Sequence, residues 1–255
     1  MSDVNPISTG PGHTAVRQAI GQASRETGVR FDFMLEQAQR ESGLRPDAAA
    51  RTSSAVGLYQ FIDQTWLRLV RDHGHRHGLG QEQQAIGFDG QRYTLDDPAE
   101  RQRILGLRTD ARLNALMGGE YARENHALLS NHLNRPVTQT DLSLAHFLGG
   151  QGAMKLLTAI DRQPSAKAAD LFPAAAAANK PVFFDQAGQS RTVGELRDYF
   201  DSGPGLGERL GPPPPGRGHF LSAMPAGAPR VPFFSAPAMP AGASLWQDLT
   251  RPPGS

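Results

Sequence analysis

The sequence predicts a mainly α-helical domain followed by a disordered tail, and three observations carry that expectation. Apolar residues recur three and four positions apart in segment after segment, as at Val16, Ala19, Ile20 and Ala23, the spacing that lines one face of a helix. No run alternates convincingly at period two, and the apolar run at Val182 is too short to count as a strand. Pro and Gly, 20 and 28 in the chain, crowd into its final third, so the compact part ends near Phe200. Loops rather than a sheet are expected to form any cleft.

The whole chain sets outer limits. Its 255 residues suit one domain of ordinary size with extensions, or two small ones, and suffice to bury a sizeable core. Net charge is +1 with a pI near 8.2, and Arg is spread along helices without a basic run, which argues against nucleic acid as a partner. The absence of cysteine excludes a disulfide framework, a thiolate nucleophile and Cys-based zinc sites. No apolar run approaches the roughly 18 residues that read as a membrane span, and the start MSDVNPISTGPGH lacks the pattern of a signal peptide.

Residues 1–12, polar and holding Pro6, Gly10, Pro11 and Gly12, read as a flexible lead-in. A domain with a C-terminal helical extension is expected over 13–200. Its first helix runs over 14–27 and stops at Gly28; a second starts at Phe31. The small, polar stretch 45–56 reads as a loop lining something, and ends in Gly57-Leu58-Tyr59-Gln60-Phe61. Asp63 can cap a helix carrying Trp66, Leu67 and Val70. The run HGHRHGLG over 73–80 breaks it, and a polar connection leads on to a short helix at Asp97-Pro98. Asp110 introduces the longest helical stretch, with Leu113, Leu116, Met117, Tyr121 and Leu128 on one face, expected at the centre of the domain. Thr140-Asp141 is expected to cap the next helix, closed by Gly149, Gly150 and Gly152. Helices over 153–160, 166–179 and 192–200 follow.

After Asp201 the composition is too rich in Pro and Gly to pack, and Pro212 to Pro215 favours an extended polyproline segment. Phe220, Phe233, Phe234 and Trp246 are denser than a pure spacer needs. The region 201–255 thus reads as a disordered tail, either a linker with incidental aromatics or a docking segment for a protein partner.

One residue is oddly placed. The series Phe31, Met34, Leu35 and Ala38 runs on by three into Glu41, so a carboxylate continues the apolar stripe. Gly43 and Pro46 then end the helix, leaving Glu41 in its last turn, beside the negative end of the helix dipole. Burial and the dipole both disfavour its ionised form. The plain alternative is a helix-end Glu that is solvated or paired with Arg45.

The motifs around Glu41 resemble a known family. ESGLRPDA over 41–48, AVGLYQF over 55–61 and Trp66 are similar to the Glu-Ser pair and Gly-Leu-Met-Gln element of the soluble lytic transglycosylase domain. Asn114, Gly118 and Tyr121 match its Asn-xxx-Gly-xx-Tyr helix, and AHFLGGQGA over 145–153 is similar to its Ala-Ala-Tyr-Asn-Ala-Gly-x-Gly element. The four motifs span about residues 14–160. Tyr59 stands at the family's Met, Phe147 at its Tyr and Leu148 at its Asn, with His146 just before.

The resemblance implies a lysozyme-like, goose-type helical fold that cleaves peptidoglycan between N-acetylmuramic acid and N-acetylglucosamine and leaves a 1,6-anhydromuramoyl end. It implies Glu41 as the lone general acid and base, with no cofactor. Ser42 and Gln60 are expected to hydrogen-bond the N-acetylated sugar, Gly57 and Leu58 to shape its site, and Tyr59 and Phe147 to form apolar or stacking walls. His146 is either a polar site residue or a hydrogen-bonded core histidine. Action on glycan strands in the periplasm or cell envelope is implied by that substrate, with the export route left open, and a monomer is expected.

The residues themselves leave alternatives. Most glycosidases pair the acid with a second carboxylate roughly 5 to 9.5 Å away. Asp47, Asp63 and Glu120 are candidates, though Asp63 reads best as a helix cap and Asp47 as a turn residue. Asn114 and Tyr121 read as packing residues before ligands. His73, His75 and His77 invite a metal, but their glycine neighbours read better as a solvated loop. A hydrolytic muramidase on the same fold, or a weakly catalytic glycan-binding component of an envelope machine, is the competing function.

Overall fold

A computed structural model describes residues 11–51 and 53–202. The expectations for residues 1–10 and for the tail beyond Ser202 lie outside the described residues. Those described are mainly helical, with one small sheet of two antiparallel strands. The order is α1 (Pro11–Thr27), α2 (Phe31–Ser42), α3 (Asp63–His73), a 3-10 turn (Gly74–His77), α4 (Gly80–Ala85), β1 (Gly87–Phe88) and β2 (Tyr93–Thr94). There follow α5 (Pro98–Gly106), a 3-10 turn (Leu107–Thr109), α6 (Ala111–Ser130), α7 (Gln139–Leu148) and α8 (Gly150–Arg162). An extension of short helices closes the domain: α9 (Ala168–Leu171), α10 (Pro173–Ala178), α11 (Lys180–Phe183) and α12 (Val193–Asp201).

The long helix is the axle. Along α6 every residue from Asn114 to Ala122 is buried, and α1, α2, α3, α7 and α8 all pack against it. Asp110 starts it, accepting a hydrogen bond from the Leu113 N–H at 2.9 Å, as its cap chemistry predicts. Gly118 and Gly119 set how closely its neighbours approach. A Cβ at Gly119 would stand 2.4 Å from Thr27 Oγ1 of α1, and one at Gly118 would stand 2.9 Å from the Tyr59 ring. Glycine in a helix interior loses about 1 kcal/mol against alanine; here that loss is offset by the close seating of α1 on one side and the Tyr59 loop on the other.

Four local expectations need correction. Asp63 does not cap α3: Ile62 stands at the cap position with no side-chain bond, and Asp63 is the helix's first residue, paired with Arg101 and Arg108. The cap of α7 is Thr138, not Thr140-Asp141: Thr138 Oγ1 accepts from the Asp141 N–H, and the Asp141 carboxylate accepts from the Thr138 N–H at 2.8 Å, a reciprocal box. Thr140 sits in the first turn and bonds Asp201 of α12. The polar connection after the His-rich run contains α4 and the β1–β2 hairpin, whose register pairs Gly87 with Thr94 and Phe88 with Tyr93. That run is not a solvated loop. His75 is exposed, but His73 Nε2 lies 2.6 Å from Glu124 and His77 Nε2 lies 2.9 Å from Glu120, both on α6. Burial alone would push the Glu120 carboxyl up, yet His77, His73 and Arg123 outweigh it and hold it below the usual carboxylate range.

Candidate active site

The last turn of α2 ends sharply because Gly43 adopts the left-handed conformation, with φ 62°, and its N–H turns back to the Gln39 carbonyl at 3.0 Å. Leu44 follows at φ 62° although it carries a side chain, and Gln60 stands at φ 48°. These are the two non-glycine residues with positive φ among those described, a conformation that costs on the order of 1–3 kcal/mol each. One directly follows the Glu41 turn and the other closes the Gly57–Gln60 turn.

Glu41 is buried, its side chain 1% exposed. Arg45 does not pair with it; the Arg45 Nε–H donates instead to the Ser42 carbonyl at 3.1 Å. The group facing it is His146 of α7, whose Nε2 lies 3.4 Å from Glu41 Oε1. A second rung one turn earlier fixes this pairing: Gln37 Nε2 donates to Ser143 Oγ at 2.6 Å, so α2 and α7 are in register at the site. Glu41 Oε2 and His146 Nε2 are both buried without a hydrogen-bond partner. Such orphans cost roughly 1–3 kcal/mol each and mark places where structure serves something besides stability.

The His146 ring is walled by aromatics. Tyr121 meets it edge-on with centroids 5.6 Å apart, while Tyr59 and Phe61 stand at 6.3 Å and 6.4 Å. Tyr59 is itself buried; its hydroxyl donates to the Met34 carbonyl at 2.9 Å, and burial pushes its phenol pKa up, so it remains a protonated donor. It is a wall behind the imidazole.

The Gly57–Gln60 turn is clamped from below. Asn114 Oδ1 accepts from the Tyr59 N–H at 3.0 Å, and Asn114 Nδ2 donates to the Arg108 carbonyl at 2.8 Å. A Cβ at Gly57, where φ is 89°, would lie 2.2 Å from the Arg108 carbonyl oxygen and 2.3 Å from Asn114 Nδ2. Gln60 Nε2 donates to the carbonyls of Ala48 and Gly57 at 3.0 Å and 2.9 Å, tying this turn to the segment after α2. Arg108 completes the clamp, donating to the carbonyls of Ser54 and Phe61 at 2.6 Å and 3.0 Å and pairing with Asp63 at 2.9 Å. Neither Arg108 nor the structural use of Gln60 stands out in the sequence, since their partners are backbone carbonyls set by the fold.

The named site residues therefore divide. Glu41 and His146 meet, with Tyr59 behind them. Gly57, Leu58 and Gln60 build the turn, Leu58 wholly within the core. The Ser42 hydroxyl donates to the Ala38 carbonyl at 2.9 Å inside α2. The Phe147 ring packs with Phe200 and Phe183 of the extension, at centroid distances of 5.1 Å and 6.0 Å. Of the other carboxylates considered, Asp63 is paired with Arg108 and Arg101 and Glu120 with His77, while Asp47 is exposed on its loop.

An open trough of about 470 Å³ runs along α1, lined by Thr14, Arg17, Gln18, Gly21 and Arg25; none of these belongs to the Glu41–His146 pair or its aromatic wall. Among the described residues no group of three or more His, Asp or Glu is arranged to hold a metal ion, and no helix is long and apolar enough to cross a membrane. No family model matches the chain.

Proposed function

We propose that the protein is a peptidoglycan lytic transglycosylase of lysozyme-like fold, with Glu41 as its single acid and base. The observation that supports this most is the state of Glu41: a buried carboxyl in the last turn of a helix, one oxygen without a partner and the other facing His146. A carboxyl held there is suited to proton transfer. Among the described residues, the two non-glycine residues in left-handed backbone are Leu44, three residues after Glu41, and Gln60, in the turn that carries Tyr59, as strain often lies around sites of chemistry.

In the proposed reaction Glu41 gives its proton to the bridging oxygen between N-acetylmuramic acid and N-acetylglucosamine. The bond from that oxygen to the muramoyl C1 breaks, its electron pair leaving with the oxygen. The substrate's own N-acetyl group stabilises the positive charge at C1. The Glu41 carboxylate then removes the proton of the C6 hydroxyl, whose oxygen bonds to C1 and closes the 1,6-anhydro ring, returning Glu41 to its starting state. No second protein carboxylate is required. That suits a site where Glu120 is engaged with His77 and Asp63 with Arg108, and it favours this route over hydrolysis. The substrate sets the place of action in the periplasm or cell envelope.

Because the Glu41 side chain is 1% exposed, a bound glycan must displace what covers it. The test is incubation with purified sacculi and identification of the released muropeptides by mass spectrometry. Anhydromuramoyl ends support the proposal, reducing ends assign a hydrolytic muramidase, and no release assigns a non-catalytic glycan-binding role.

A further inference from the structure

We infer that His146 is the residue that holds Glu41 once it has given up its proton: in its Nε2-protonated tautomer it donates to the carboxylate that proton transfer creates. This rests on the transglycosylase reading for its place in the reaction, and on geometry alone for the contact itself.

The step that needs help is visible from the burial. After the first proton transfer Glu41 is an anion in a site its side chain leaves only 1% exposed, and its Oε2 has no donor. Of the cations near it in sequence, Arg40 is paired with Glu36 at 2.6 Å and Arg45 is turned to the Ser42 carbonyl. The polar atom that faces the carboxyl is His146 Nε2, 3.4 Å from Oε1 and itself without a partner. That separation is about 0.5 Å beyond the usual N–H···O distance, as is common for catalytic contacts before substrate binds.

The surroundings leave His146 little else to do. From α6 it meets the edge of Tyr121, whose ring is covered on another side by the Arg68 guanidinium at 5.8 Å. From the 57–61 segment it meets Tyr59 and Phe61, and the Tyr59 hydroxyl is committed to the Met34 carbonyl. Three aromatic rings thus fix the plane of the imidazole, and the Gln37–Ser143 bond fixes the spacing of the two helices that carry the pair. A donor preorganised toward a charge that appears only during reaction lowers the barrier and leaves ground-state binding unchanged. His146 is in this sense a positioning residue acting through Glu41: the bond to the carboxylate strengthens as the proton leaves.

The test has two readouts. Steady-state kinetics on a soluble glycan-strand substrate compare wild type with His146→Phe, which keeps an aromatic ring in the cage without the N–H, and with His146→Gln, which restores an N–H at similar reach. The expected result is a fall in kcat on the order of 10²-fold for His146→Phe, KM within about twofold, and recovery of at least about tenfold in His146→Gln. Equal kcat in wild type and His146→Phe, or a glutamine variant no better than the phenylalanine one, overturns it. The second readout needs neither turnover nor a folded His146 variant: nitrogen-15 NMR of the imidazole in wild type and Glu41→Gln. A ring protonated at Nε2 whose signal moves in Glu41→Gln supports the contact, and a signal indifferent to that substitution overturns it. If sacculi release no anhydro product yet the imidazole senses Glu41→Gln, the transglycosylase reading fails while the His146–Glu41 contact stands.

Discussion

Asn114 holds Tyr59 by the backbone: its Oδ1 accepts from the Tyr59 N–H at 3.0 Å while its Nδ2 donates to the Arg108 carbonyl at 2.8 Å. Both bonds are buried, and together they suspend the Gly57–Gln60 turn from the N-terminal end of α6. Asn114→Ala leaves an N–H and a carbonyl without partners, which amounts to roughly 2–4 kcal/mol. The expected outcome is a lower midpoint in urea at unchanged slope, with glycan cleavage lost more steeply than stability because the turn borders the site.

Gly57 makes a sharper case. Alanine there meets both a left-handed backbone and oxygen and nitrogen atoms 2.2 Å and 2.3 Å away, so Gly57→Ala is predicted to cost more than about 2 kcal/mol. Denaturant unfolding beside Gly78→Ala, where φ is 80° but no atom lies within 4 Å, separates the two contributions. Gly78→Ala should lose only the conformational part, about 1 kcal/mol.

Acid sensitivity has a named source in Glu124. Burial alone would push its carboxyl up, but Arg68 and a contact to His73 outweigh it and hold it at about 2, from an ordinary 4.5. Because the folded value lies below the unfolded one, this stabilisation is complete above about pH 4.5 and fades as pH falls toward 2. Its ceiling is about 3 kcal/mol. Unfolding free energy measured from pH 6 to pH 2.5 should therefore fall less steeply in Glu124→Gln than in wild type, from a lower starting value. Parallel curves would remove Glu124 from the explanation.

The extension is pinned to the helices of the site. Phe200 of α12 packs on Phe147, next to His146, and under the Arg40 guanidinium at 5.9 Å, next to Glu41. Phe200→Ala is predicted to cost about 3 kcal/mol or more through the cavity it leaves. The same substitution should raise hydrogen exchange first in α12 and at the start of α7, where Thr140 bonds Asp201.

Much of the helical frame was legible because its signals are local. Asp97 and Asp110 cap α5 and α6 as their positions announce, and Gly43 ends α2. The displaced cap of α7 shows how close the competition is: in Thr138-Gln139-Thr140-Asp141 two threonines stand two apart, and only the reciprocal bond with Asp141 decides for the first. The hairpin escaped because strands of two residues carry no period to detect. His73 and His77 looked solvated because their glycine neighbours are local, whereas Glu124 and Glu120 lie 51 and 43 residues away. For the candidate site, the stripe ending in Glu41 signalled its burial. The direction of its neighbours was not legible: one residue of register on α7 sends His146 toward Glu41 and Phe147 toward α12.

Glu41→Gln, assayed on purified sacculi beside its own thermal unfolding, tests the central claim most directly. Removing a buried carboxyl that lacks a partner on Oε2 should leave the protein as stable as wild type or more so. The predicted result is release of anhydromuropeptides by wild type, a loss on the order of 10²-fold or more in Glu41→Gln, and an unfolding temperature equal to or above that of wild type. Release of the same products at the same rate by the folded Glu41→Gln protein would contradict it.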